Sequence, residues 1–130
     1  MKGIYLLGIN VDWNMTVRVG ALGEIPFDKG YYIYVGSAQN NLNKRVERHL
    51  SKNKKLRWHI DYLLCRGKVN VRKVYFREAG KELECETAKH LSELGEPING
   101  FGSGDCKCKA HLFKVNDCFD AKQMGFEVYE

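Results

Sequence analysis

The sequence predicts one domain, residues 1–130, of the α/β (α+β) class: a small mixed, mainly antiparallel sheet flanked by helices. Three observations predict it. Apolar residues recur with both the two-residue period of strands and the near-four-residue period of helices, so both elements are present. They follow one another without a regular βαβ repeat, which argues against a doubly wound parallel sheet. Finally, 130 residues with two prolines, Pro26 and Pro97, and no internal repeat or low-complexity tract show no boundary. By area scaling such a chain buries about two-thirds of its unfolded surface, so folding needs neither a metal nor a disulfide.

The elements follow in order. Ile4–Val11 reads as a buried strand, and Met15–Val19, with Met15, Val17 and Val19 alternating, as a second. "ALGEIPFDKG" reads as a connection because Gly and Pro break it. Gly30–Ser37 is β-branched and aromatic, suited to a pleated surface. A helix should open near Asn40 or Asn41, whose side chains can accept from free backbone N–H groups, with Leu42, Val46 and Leu50 as its apolar stripe. "LRWHIDYLL" reads as a short second helix, Val69–Arg77 as an alternating strand, and Glu82–Leu94 as a third helix stopped by Gly95 and Pro97. After the glycine-rich "NGFGSGDCKCKA", His111–Val115 and the C-terminal "MGFEVYE" read as strands.

Charge is more informative by position than in total. The net charge of +5 only inclines the chain toward an anionic partner. Between Lys44 and Arg57, however, Lys44, Arg45, Arg48, Lys52, Lys54, Lys55 and Arg57 face a single acid, Glu47. Such a patch is either a solvated helix face or a polyanion-binding surface. Arg45 and His49 are four residues apart beside the apolar stripe, so both are expected at the edge of the core, facing a cleft. No apolar run is long enough to span a bilayer, and "MKGIYLLGINVDW" reads as a first strand rather than a secretory leader. Five cysteines, an odd number, are expected as reduced thiols in a cytoplasmic protein.

The stretch "GYYIYVGSAQNNLNKRVERH" joins these signals. Gly3-Ile4-Tyr5 precedes Tyr34-Val35-Gly36, and Arg45 and His49 follow on a helix. In this order the chain resembles the GIY-YIG nuclease superfamily. "YIYVGSA", "RVERHL", "WHIDYLL" and "GFGSGDCKCKAHLF" further resemble an uncharacterised prokaryotic branch of it, a domain of unknown function, over nearly the whole chain. The resemblance implies a metal-dependent DNA endonuclease that hydrolyses phosphodiesters with one divalent ion, Mg²⁺ or Mn²⁺. It implies Tyr5, Tyr34, Arg45, His49 and Glu86 as catalytic residues and Glu86 as metal ligand, with Glu84 the alternative and Glu82 a further carboxylate on that helix. Gly36 then lets backbone approach the site, and Asn99 matches an asparagine some members carry. Between Tyr5 and Tyr34 stand 28 residues, a longer gap than the superfamily's, so an extra strand or hairpin is expected there. No recognition domain is visible, which points to structured or damaged DNA, or to a protein partner supplying specificity.

Physical chemistry is consistent with those roles. Charge builds on phosphoryl oxygens during hydrolysis, so a guanidinium and a metal aimed there lower the barrier. A phenol serves as base only where nearby positive charge favours its phenolate. DNA-binding residues are then Gly36, Lys44, Arg48, Lys52, Lys54, Lys55 and Arg57. His59 and Asp61 are expected in structural hydrogen bonds. The loop Gly100–Gly104 could wrap phosphate through backbone N–H groups. Cys106, Cys108 and His111 form C-x-C-x2-H, tighter than common zinc spacings, and a fourth ligand would have to be Cys65, Cys85 or Cys118. The reading is therefore of metal-free thiols. Two rivals stand beside the nuclease: a catalytically silent nucleic-acid-binding module, and a structural zinc protein using the cysteine cluster.

Overall fold

The computed structural model describes residues 2–103 and 106–129. Its strands are β1 (Gly3–Val11), β2 (Met15–Arg18), β3 (Glu24–Phe27), β4 (Gly30–Ala38), β5 (Val69–Arg77), β6 (Glu96–Pro97), β7 (Leu112–Val115) and β8 (Glu127–Val128). Its α-helices are α1 (Leu42–Leu50), α2 (His59–Leu64) and α3 (Glu82–Leu94). Six strands form one sheet in the order β6-β7-β4-β1-β5-β8, and every pairing in it is antiparallel. Among the described residues the sheet is thus antiparallel throughout rather than mixed.

β1 lies at the centre, and its side chains alternate between two cores. Tyr5, Leu7, Ile9 and Val11 join Leu42 and Val46 of α1 and Ile60, Leu63 and Leu64 of α2. Ile4 and Leu6 face the other way, with Ala88 and Leu91 of α3. The sheet is therefore covered by α1 and α2 on one face and by α3 on the other. The same alternation sorts the tyrosines of β4: Tyr32 and Tyr34 enter the first core and Tyr31 the second.

The long gap between Tyr5 and Tyr34 holds the β2–β3 hairpin, whose Val17 and Phe27 complete the first core. Glu24–Phe27 was expected as a connection because of Pro26. A two-stranded hairpin tolerates proline, which needs no N–H on an outward edge. β6 escapes prediction for the same reason, since Pro97 lies in an edge strand of the sheet.

α1 corrects the predicted stripe. Asn41 does cap it, its Oδ1 accepting from the Lys44 N–H at 3.0 Å. Yet Leu42, Val46 and His49 are buried, while Leu50 is 53% exposed. The stripe runs i, i+4, i+7, and His49 takes the inward place that Leu50 was expected to hold.

Candidate functional site

Both layers meet at one end of the sheet, where β1 begins and β4 ends. A cleft of about 700 Å³ opens there, lined by Tyr5, Tyr34, Gly36 and Ser37 of the strands, Arg45 of α1 and Glu84 of α3. Register explains the first contact. Tyr5 sits opposite Gly36 across the β1–β4 pair, and its phenol lies over that glycine. A methyl at Gly36 would overlap the Tyr5 hydroxyl and ring, so glycine there makes room for Tyr5.

Tyr5 Oη is 2.7 Å from His49 Nε2, one partner fixed by β1 and the other by the buried face of α1. Burial drives both away from charge: the Tyr5 hydroxyl is pushed up to about 12, with Arg45 opposing in part, and His49 is pushed down to about 3. Burial raises the Tyr34 phenol well above its usual value. Arg45 lowers the phenols but does not outweigh burial, so Arg45 by itself does not favour a phenolate. The side chains meet instead as neutral phenol and neutral imidazole.

Arg45 is aimed by two contacts. One guanidinium N–H donates to the Ser37 carbonyl at 3.0 Å, and its carbon stands 4.5 Å from the centre of the Trp58 ring. A guanidinium has five N–H donors, so most remain for an anion in the cleft. Glu84 approaches from the opposite layer, and burial pushes its carboxyl up. Glu86 is exposed and outside the cleft lining, because two residues along a helix turn a side chain well off its face. The structure therefore puts the alternative Glu84, with Glu82, on the cleft in place of Glu86.

The cationic patch divides. Arg48 makes a bidentate pair with Asp61, both bonds 2.8 Å, and donates to the Lys55 carbonyl. Lys52 Nζ donates to the carbonyls of Leu64, Arg66 and Val69, and Lys54 Nζ to those of Arg48 and His49. These three were expected on phosphate; they satisfy carbonyls and a buried carboxylate instead. Lys44, Lys55 and Arg57 stay exposed, as a patch residue should. Asp61 also accepts from the Arg57 and Trp58 N–H groups, closing the start of α2. His59 Nδ1 accepts from the Gly102 N–H at 2.8 Å. The N–H groups of Gly100 and Phe101 are bonded to Lys109 and Ile98 carbonyls, so with Gly102 these three amides are already engaged within the protein. Gly104 lies outside the described residues.

Against this geometry, a family model described as "Domain of unknown function DUF123" matches residues 4–130. The chain belongs to the DUF123 family. No curated protein and no solved structure matches it. No helix among the described residues is long and apolar enough to cross a membrane.

In this DUF123 chain a cysteine–histidine group adjoins the cleft, and Cys85, Cys106 and His111 of it are among the cleft's lining residues. Cys85 of α3 meets Cys106, Cys108 and His111, their ligand atoms all within 4.8 Å of one another, an arrangement that could hold a metal ion. Of the three candidates for a fourth donor, Cys85 joins the group while Cys65 and Cys118 lie outside it, and this donor set leans toward zinc, against the expectation of metal-free thiols. Trp58, against which both Arg45 and Arg48 rest, had no assigned role in the sequence. A tryptophan ten to thirteen residues beyond two arginines carries no periodic signal, since a loop sets that contact.

Proposed function

We propose that the cleft hydrolyses phosphodiester bonds of DNA, as the likeness to GIY-YIG nucleases implies. The observation that carries this reading is the meeting of Arg45 and Glu84, delivered from helices on opposite faces of the sheet, beside the Tyr5 and Tyr34 phenols. A cation and a carboxylate facing one cleft suit a phosphate bound between a guanidinium and a divalent ion.

Glu84, with Glu82 beside it, would hold Mg²⁺ or Mn²⁺, hard ions that accept one or two carboxylates and keep water. When bound, such an ion supplies Lewis-acid stabilisation of phosphoryl oxygens. Arg45 binds the non-bridging oxygens and opposes the charge that grows on them. Ser37 and Trp58 orient its guanidinium. The 2.7 Å hydrogen bond with His49 Nε2 holds the Tyr5 hydroxyl in place at the cleft floor. Lys44, Lys55 and Arg57 extend the cationic surface for flanking phosphates. The soft thiol group beside the cleft suits a reducing cytoplasm.

Purified protein incubated with duplex, single-stranded, flapped and branched DNA in Mg²⁺ or Mn²⁺ tests the reading. Glu84→Gln should slow hydrolysis by on the order of a hundredfold or more while binding persists. Glu86→Gln should stay near wild type. Arg45→Ala should weaken both binding and turnover, since its charge meets phosphate in the ground and transition states alike. Absence of cleavage of every DNA form with either metal would refute hydrolysis and leave a binding module.

A further inference from the structure

Four donors of one chemical kind converge where two chain segments cross. Cys85 stands in the first turns of α3, and Cys106, Cys108 and His111 come from the segment entering β7. Cys106 Sγ lies 3.4 Å from His111 Nε2, so that ring nitrogen faces the sulfurs. The other, Nδ1, lies 3.7 Å from a Glu84 carboxylate oxygen. His111 is 3% exposed and the three cysteines are half-buried.

We propose that Cys85, Cys106, Cys108 and His111 hold one Zn²⁺ in a closed tetrahedral site that pins the start of α3 to the segment before β7. Tetrahedral zinc with bonds of about 2.0–2.3 Å separates its donor atoms by roughly 3.3–3.8 Å. Donors already within 4.8 Å of one another reach that by small side-chain rotations. An iron–sulfur cluster needs its cysteines further apart, because several irons stand between them. Three thiolates and an imidazole are too soft a set for Mg²⁺ and suit zinc. Four protein ligands leave no open position, so this centre is structural.

Glu84 completes it from outside. At 3.7 Å from His111 Nδ1 its carboxylate lies beyond hydrogen-bond distance and contributes its negative charge behind the ring. Zinc therefore positions α3, whose Lys81 N-cap has no side-chain cap bond, and with it the carboxylate on the cleft. Lys89, Lys107 and Lys109, beside Cys85 and Cys108, offset the negative charge of a three-thiolate centre. The effect on hydrolysis rests on the function proposed above; the zinc centre does not.

The test reads metal without nucleic acid. Wild-type protein purified with zinc in the medium should carry one zinc per chain by native mass spectrometry and elemental analysis. Of its five cysteines, three are ligands, so two, Cys65 and Cys118, should react rapidly with a thiol reagent. All five should react after a strong chelator removes zinc. Cobalt in place of zinc should show the intense visible bands of tetrahedral thiolate coordination. Cys118→Ser should keep the zinc and lower the fast thiol count to one. Cys85→Ser and Cys108→Ser should lose it. If a cysteine variant does not fold, the wild-type stoichiometry and thiol count still decide. Zinc-free wild type with five equally reactive thiols, iron in place of zinc, or full zinc retention by Cys85→Ser would each overturn the proposal. A protein that holds zinc but cuts no DNA would refute the nuclease reading alone.

Discussion

Replacing Arg48 with alanine separates a structural cation from a phosphate-binding one. The Asp61 carboxylate is fully buried and receives four hydrogen bonds, two from Arg48 and one each from the Arg57 and Trp58 N–H groups. Arg48→Ala removes both charge-assisted bonds and leaves one carboxylate oxygen without a partner among the described residues. Each such bond contributes about 1.5–3 kcal/mol. The Arg48 side chain is 23% exposed, so water enters part of the vacated space and the sum is discounted toward about 3 kcal/mol. In a domain of this size that lowers the melting temperature by roughly 10 °C. Arg48→Lys keeps the charge but not the two-pronged geometry and should lose about half as much. Urea unfolding followed by circular dichroism gives the stability change. DNA binding measured across salt concentrations gives the second readout, since a lost phosphate contact reduces the salt slope by about one. The expected result is lower stability with an unchanged slope. Stability within about 0.5 kcal/mol of wild type, together with a slope reduced by one, would mean that Arg48 meets phosphate and that the pair with Asp61 is incidental.

Two further outcomes follow from the cleft. Gly36→Ala should displace the Tyr5 phenol, cost about 1–3 kcal/mol and break the Tyr5–His49 hydrogen bond, seen as a shifted His49 imidazole resonance; an unshifted resonance would show that the strand pair accommodates a methyl. His49, lowered from 6.5 to about 3 by burial and by Lys54, Arg45 and Arg48, with Asp61 opposing, should stay neutral in the fold when the unfolded chain takes up a proton. Its contribution to stability is then complete above pH 6.5 and falls by up to about 1.4 kcal/mol per unit as pH drops toward 3. Imidazole titration by NMR checks it, and a midpoint near 6.5 would show the ring to be solvated.

Much of the fold was legible in the chain because local periodicity produces it. α3 spans the predicted Glu82–Leu94, and β5 the predicted Val69–Arg77, since each repeats its apolar residues at its own period. The hairpin between the motif strands was foreseen from the length of the gap, although Pro26 hid its second strand. Tyr5, Tyr34 and Arg45 were selected by order along the chain, and the antiparallel register puts them on one cleft. What the chain could not reveal were choices made by rotation and reach. Whether Glu84 or Glu86 faces the cleft turns on about 200° of helix phase, which only docking of α3 against β4 and β7 sets.

The amino-acid sequence by itself determined the order of strands and helices, the capped start of α1 and the burial of alternate residues in β1, because these follow from backbone sterics and from side chains a few positions apart. Tertiary structure alone decided the uses of side chains long enough to reach several partners. Arg48, Lys52 and Lys54 look alike to a count of charges, yet each finds carbonyls or a carboxylate from segments that folding brings near. Cys85 joins Cys106 across some twenty residues of chain for the same reason. Closing a loop of that length depends on where both ends are held, and only the packed sheet and α3 specify that.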